Sequence, residues 1–203
     1  MAALSDTHAP RAGALTELSA TALSRAVRLG RGTTAEVVEA HVELLLSVAP
    51  GINAIAAERF DAAREGAPAA DELVASARQQ GASAVAGRAL HREGVDRRGG
   101  MPNSGGVVAR GELRSEHTAP AVQRLLDAGA ILLGVTNTSE ICMWIESDNR
   151  LYGRTSNPYD ARRMAGGSSG GEGAAVGSGG SPIGIGSDIG GSIRTPAFWC
   201  GDW

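Results

Sequence analysis

The chain has 203 residues, 42% of them hydrophobic and 20% charged, with a net charge of −3. That length supports one domain with a real core. The slight negative charge gives no electrostatic reason to bind nucleic acid or an anionic membrane, and no apolar run reaches the ~18 residues that a spanning helix requires.

Aromatic residues make up only 3%, so the core must be built from Ala, Val, Leu and Ile. All 19 basic residues are arginine. The absence of lysine removes any lysine-based mechanism, including the phosphate-binding loop, which needs Gly-Lys-Ser or Gly-Lys-Thr. Cys142 and Cys200 define no disulfide framework and read as reduced thiols. The opening MAALSDTHAPRAGAL lacks a basic region followed by an apolar core, so no signal peptide is expected and the expected location is cytoplasmic.

Residues 1–14 read as a disordered lead-in. A first helix is predicted from Ala20 to Leu29: Ser19 caps it, Leu23, Ala26 and Val27 share a face, and Gly30 ends it. A second starts at Thr33, where Thr33 and Glu36 make a capping box. Val37, His41, Leu44, Leu45 and Val48 form its apolar face, with His41 read as a packed residue, and Pro50–Gly51 is expected to stop it. Ile52 to Ala57 is a strand candidate. Phe60 to Gln80 reads as an Ala-rich helix, interrupted at Gly66–Pro68 because proline removes a backbone donor. Thr118 to Asp127 reads as a helix capped by Thr118 with Pro120 in its first turn, facing Val122, Leu125 and Leu126 inward and ending at Gly129. Ala130 to Val135 is one short buried strand. Helix followed by strand signals an α/β fold. His8, His91 and His117 are scattered, and no His/Cys/Asp set has metal-ligand spacing; neither metal nor cofactor is expected.

The stretch from Met164 to Ala197 is glycine-dense, poor in charge and full of small hydroxyls. Glycine is needed where the backbone takes φ > 0 or another group comes close. A flexible linker would not carry Val176, Ile183, Ile185, Ile189 and Ile193 at near-strand spacing. Ser168 and Ser192 each follow a Gly-Gly pair, 24 positions apart (192 − 168). A short helix through Glu172 to Val176 should follow Ser168–Gly171, then a strand from Pro182 to Ile189, whose Gly184 and Gly186 permit close approach. Asp188 and Arg194 read as braces of the turn around Ser192, with Ser169 as a further supporting residue.

The run GGSSGGEGAAVGSGGSPIGIGSDIGGSIRTPA resembles the signature stretch of the amidase signature family, almost continuously across Gly166–Ala197. The preceding GVTNTSEICMWIESDNRLYGRTSNPYD resembles its fatty-acid-amide-hydrolase-like branch. The resemblance implies an α/β fold with a mixed β-sheet core covered by helices, truncated here at the C-terminal side. Residues 15–203 would then be the N-terminal part of a single amidase domain. It implies hydrolysis of a small-molecule carboxylic amide to an acid and an amine or ammonia. Position by position, Ser192 matches the nucleophile and Ser168 the bridging serine, in a cis peptide. Ile189, Gly190, Gly191 and Ser192 match the loop whose N–H groups form the oxyanion hole. A homodimer is compatible with this reading.

Gly87 to Ser104 departs from the family. Members carry a strand of the form G-V-P-x-x-V-K-[DE], whose lysine is the terminal base; this chain reads GRALHREGVDRRGGMPNS. Gly87 and GMPNS match, and the lysine position falls on Glu93. The family's base is a neutral amine with a burial-lowered pKa; Glu93 has a shorter side chain of opposite charge, and Arg92 stays protonated. Arg88–Gly99 can be encoded so that dropping one base restores VPFTVKESIDV, with lysine where Glu93 stands. Compensating frame errors are one explanation and divergence to a non-catalytic protein is the other. Without that lysine and a C-terminal half the chain is expected to be inactive. The alternatives are a non-catalytic pseudo-amidase that binds an amide or a partner, and a Gly-rich nucleotide-binding protein, which lacks both the Walker lysine and a proper GxGxxG unit. The run Ile141–Ile145 hints at an apolar acyl or aryl group, or else at plain core.

Overall fold

The computed structural model describes residues 15–79, 88–92 and 100–202. The expected lead-in at 1–14, and the residues Gly87, His8 and Glu93, lie outside the described residues.

Helix α1 spans Ala20–Arg28. The Ser19 hydroxyl accepts from the Ala22 N–H at 3.3 Å, and Leu23, Ala26 and Val27 are buried. Helix α2 spans Thr34–Ile52 and opens on the predicted capping box. Thr33 Oγ1 accepts from the Glu36 N–H at 3.0 Å, and Glu36 Oε2 accepts from the Thr33 N–H at 2.8 Å, so each satisfies a donor that the first turn leaves open. Asp71 adds a cap from far away in sequence, accepting from the N–H groups of Thr34 at 2.6 Å and Ala35 at 3.2 Å. Its charge also meets the positive end of the helix dipole.

Pro50–Gly51 does not stop α2. Pro50 sits inside the last turn, and the chain leaves the helix at Asn53 in the left-handed region, φ 49°. The bond that Pro50 forfeits belongs to the carbonyl of Leu46, an exposed residue, while buried Ile52 draws the final turn onto the core. Strand β1 is Ile55–Glu58. Helix α3, Phe60–Gln79, runs unbroken through Gly66–Pro68. Pro68 is exposed, and the packing of Ala63, Ala67 and Val74 outweighs a proline cost of ~3 kcal/mol.

Arg88–Arg92 forms strand β2, where the resemblance implies a strand. Helix α4 is Pro120–Asp127; its N-cap is Ala119, one residue beyond the expected Thr118, and Pro120 opens the helix. The expected strand Ala130–Val135 is two strands, β3 (Ala130–Leu132) and β4 (Gly134–Thr136). They part at Leu133, whose carbonyl accepts from Arg59 N–H at 2.7 Å, and they pair with different partners. β4 runs antiparallel to β1, and a Cβ on Gly134 would lie 2.6 Å from the Ala57 carbonyl oxygen. β5 (Asp148–Asn149) and β6 (Gly153–Arg154) form a small antiparallel ladder. Helix α5 is Gly170–Gly177. The expected strand Pro182–Ile189 is only β7, Gly184–Ile185; the rest is loop. Helix α6 is Arg194–Cys200.

β2 lies between β3 and β7, parallel to both, with Leu90 opposite Leu132 and Arg92 opposite Ile185. Helices α2, α3 and α5 pack together through Val42, Leu45, Phe60, Ala63, Ala174 and Ala175, joined by Leu133 and Cys200. Fully burying a leucine such as Leu45 or Leu133 contributes about 2 kcal/mol. A second cluster joins α1, α2 and α3 through Leu23, Val27, Val37 and Val74. Leu125 and Leu126 of α4 and Ile183 and Ile185 pack on Ala130 and Leu132.

Candidate active site

The Gly-rich stretch folds back on itself. The peptide bond between Gly167 and Ser168 is cis, and α5 begins two residues after Ser168. Ser168 is fully buried and Ser169 nearly so. Glycine is required before them: a Cβ on Gly167 would lie 2.7 Å from the Glu146 nitrogen, because the Trp144–Glu146 backbone crosses over it.

Three donors converge on the Ser168 carbonyl: Thr138 Oγ1 at 2.9 Å, Ser147 Oγ at 2.8 Å and the Ser139 N–H at 3.3 Å. Ser147 Oγ also accepts from the Gly170 N–H at 2.8 Å. Behind this lies a buried amide network. Asn137 Oδ1 accepts from the Thr138 N–H at 2.9 Å and from Asn149 Nδ2 at 2.7 Å. Asn137 Nδ2 donates to the Gly153 carbonyl at 2.9 Å and to Thr155 Oγ1 at 3.1 Å. Asn137 thereby uses its two donors and both acceptor positions. In an interior of low dielectric, a fully satisfied network of this kind holds one geometry. Sequence reasoning did not single out Asn137, Thr138, Ser147 or Asn149. The available signal was the polar run TNTS directly after an apolar strand.

The second serine arrives on the loop after β7. Gly191 takes φ 127°, a conformation that favours glycine. Asp188 organises the turn. Its Oδ1 accepts from the Gly191 N–H at 2.7 Å, and its Oδ2 accepts from the Ile193 and Arg194 N–H groups, both at 3.1 Å. The Arg194 guanidinium grips the same carboxylate with Nε at 3.0 Å and Nη2 at 2.9 Å. The Arg194 guanidinium and these N–H donors hold the Asp188 carboxyl far below the usual carboxylate range. Of the four expected oxyanion donors, Gly191 has its N–H committed to Asp188; among the described residues the amides of Ile189, Gly190 and Ser192 carry no such bond. Ile189 is fully exposed.

The two serine segments meet through the backbone: the Ser169 N–H donates to the Ser192 carbonyl at 3.1 Å. Ser192 itself is half-buried. A cavity of about 290 Å³ opens between α5, β7 and α6, lined by Ser169, Glu172, Gly184, Gly186, Ile193 and Asp202. Glu172, which the sequence placed only within a short helix, is buried. It accepts from Thr136 Oγ1 at 2.7 Å and from the Ile185 N–H at 3.2 Å, tying α5 to β4 and β7. Met143, Trp144 and Ile145 are exposed rather than core.

Both cysteines are free. Burial pushes the Cys200 thiol up to about 12, which keeps it protonated and unreactive. Among the described residues, no group of three or more His, Cys, Asp and Glu could hold a metal ion, and no helix is long and apolar enough to cross a membrane.

The amidase family model matches residues 36–201. The chain belongs to the amidase family. It is 47% identical over 199 residues to fatty-acid amide hydrolase 2-B of Danio rerio, covering 95% of this chain and 38% of that protein. It is 42% identical over 189 residues to fatty-acid amide hydrolase 2 of Homo sapiens, covering 91% of this chain and 36% of that protein. The structure of 6-aminohexanoate cyclic dimer hydrolase superposes with a TM-score of 0.81 at 36% identity, over 92% of this chain and 37% of that one. The chain thus spans less than two-fifths of the length of these relatives. The amidase fold, with its helices around small sheets, is the architecture expected from the Gly166–Ala197 stretch.

Proposed function

We propose that this chain carries the serine portion of an amide-hydrolysing site. Ser192 attacks the carbonyl carbon of the amide. Ser168 takes the Ser192 proton, and the departing amine recovers a proton by the reverse route. The resulting oxyanion faces the amides of Ile189, Gly190 and Ser192, a contribution of ~3 kcal/mol per donor to the transition state. The observation that carries this reading is the junction of the two Gly-Gly-Ser segments by the 3.1 Å Ser169–Ser192 backbone bond. The exposed apolar run Met143–Ile145, next to Gly167, favours a substrate with an apolar acyl or aryl group.

A relay through Ser168 needs a terminal base, and the family's is a lysine. The chain contains none. We therefore propose that the 203-residue chain does not turn over amides. Assaying it with a medium-chain acyl p-nitroanilide tests this: steady release of p-nitroaniline refutes it. Reading the gene across codons 80–110 separates the two explanations of Glu93. An intact frame encoding VPFTVK there favours an ordinary serine amidase. A genuine glutamate favours the second reading, a non-catalytic protein that binds an amide or a partner, which the absence of lysine supports.

A further inference from the structure

We propose that Ser147 is a positioning residue for the serine pair. This rests on the assignment of Ser168 and Ser192 above. The Ser147 hydroxyl is fully buried and touches the site at two points. It donates to the Ser168 carbonyl at 2.8 Å and accepts from the Gly170 N–H at 2.8 Å. One side chain thus clamps both ends of the segment Ser168–Ser169–Gly170. That segment holds Ser192 in turn, through the Ser169 N–H at 3.1 Å from the Ser192 carbonyl. The packing leaves the clamp little slack: a Cβ on Gly170 would collide with Ser147 Oγ and lie 2.8 Å from its Cβ. Ser147 is itself held on both sides, its N–H donating to the Gly166 carbonyl at 3.0 Å and its carbonyl accepting from the Thr155 N–H at 2.8 Å. A hydroxyl donates to the carbonyl and accepts from the amide through one atom, which a methyl group cannot do. Alanine would leave a buried N–H without a partner and the Ser168 carbonyl with two donors in place of three. Thr138 is the weaker companion, because its hydroxyl reaches the Ser168 carbonyl but not the Gly170 N–H.

The role is read from a reversible adduct that needs no lysine. Phenylboronic acid adds to a serine hydroxyl by forming a B–O bond. The hydroxyl proton leaves to the buffer, no bond to boron breaks, and boron becomes tetrahedral and anionic. That anion occupies the place of the oxyanion, so its affinity reports the alignment of Ser192 with its loop amides. The experiment is a boron-11 NMR titration of the chain, its Ser192→Ala control, and the variants Ser147→Ala and Ser147→Thr, each checked for folding by circular dichroism. The expected result is an upfield-shifted signal in the unaltered chain that is absent in Ser192→Ala. Affinity should fall about 10-fold in Ser147→Ala, the scale of one lost hydrogen bond plus an unpaired partner. It should stay within about 3-fold in Ser147→Thr, which keeps the hydroxyl. Equal affinity in Ser147→Ala overturns the proposal while leaving the Ser192 assignment intact. Equal losses in the alanine and threonine variants also overturn it, because shape rather than the hydroxyl would then matter. No adduct in the unaltered chain refutes the Ser192 assignment itself, and the proposal falls with it. Should Ser147→Ala fail to fold, Ser147→Cys, whose thiol donates and accepts only weakly, is titrated in its place, and unchanged affinity there overturns the clamp.

Discussion

Replacing Asn137 with alanine tests whether the network behind Ser168 carries the fold of this region. The substitution removes four hydrogen bonds, but their partners do not all lose everything. Asn149 Nδ2 keeps its 2.8 Å bond to the Thr138 carbonyl, and Thr155 Oγ1 keeps its 2.9 Å bond to the Asn53 carbonyl. The Thr138 N–H and the Gly153 carbonyl lose the Asn137 side chain as a partner. Gly153 is exposed, so water takes over at its carbonyl, whereas the buried Thr138 N–H costs about 2 kcal/mol when it loses this acceptor. Asn137→Asp keeps the shape and the acceptor but turns a second oxygen toward the Gly153 carbonyl, at a cost of about 3 kcal/mol. Urea unfolding followed by circular dichroism measures both. The Asn137→Ala and Asn149→Ala losses should be less than additive, because the two side chains share a bond. A loss under about 1 kcal/mol in Asn137→Ala would refute the reasoning, since it would mean that water or a shifted side chain satisfies these groups without cost.

His41 makes the protein acid-sensitive. It is fully buried, its Nδ1 donates to the Gly179 carbonyl at 3.0 Å, and its Nε2 has no partner among the described residues. Burial lowers its pKa below the ordinary 6.5. As pH falls through 6.5 the unfolded chain takes up a proton that the folded chain refuses, so stability drops down to the depressed folded pKa and is unaffected by this group above 6.5; His41→Gln should flatten that slope in urea titrations between pH 7 and 5. Pro68→Ala, on the exposed face of α3, should raise stability by about 1–3 kcal/mol by restoring a helical bond; a neutral or lowered urea midpoint contradicts this. Asp188→Asn should weaken the phenylboronate adduct by at least about 10-fold, because Arg194 and three N–H groups lose their anionic acceptor; an unchanged titration counts against the brace.

The parts of this protein that were legible in sequence are those whose partners are close in sequence. The Thr33–Glu36 box spans three residues, and the Asp188–Arg194 brace spans six. The two serines were legible because each sits in a short Gly-Gly-Ser pattern that reads without the fold. The misreadings have the opposite cause. Pro50 and Pro68 look like helix stops locally, yet buried Ile52, Ala67 and Val74 hold the helices together across them. Ala130–Val135 is uniformly apolar, and only the separate partners β2 and β1 split it at Leu133. Asp71 caps a helix 37 residues away, and Ser147 reaches Ser168 across 21. Such pairings depend on the finished fold, so no local pattern announces them.

We propose Ser192 as the nucleophile of this site. The direct measurement is peptide mapping by mass spectrometry after the chain is incubated with an alkyl fluorophosphonate, which phosphonylates an aligned serine and releases fluoride. The expected result is a single adduct on Ser192, formed slowly because the relay lacks its lysine, and slower still in Ser168→Ala. An adduct spread across surface serines, or one that leaves Ser192 unmodified, would contradict it.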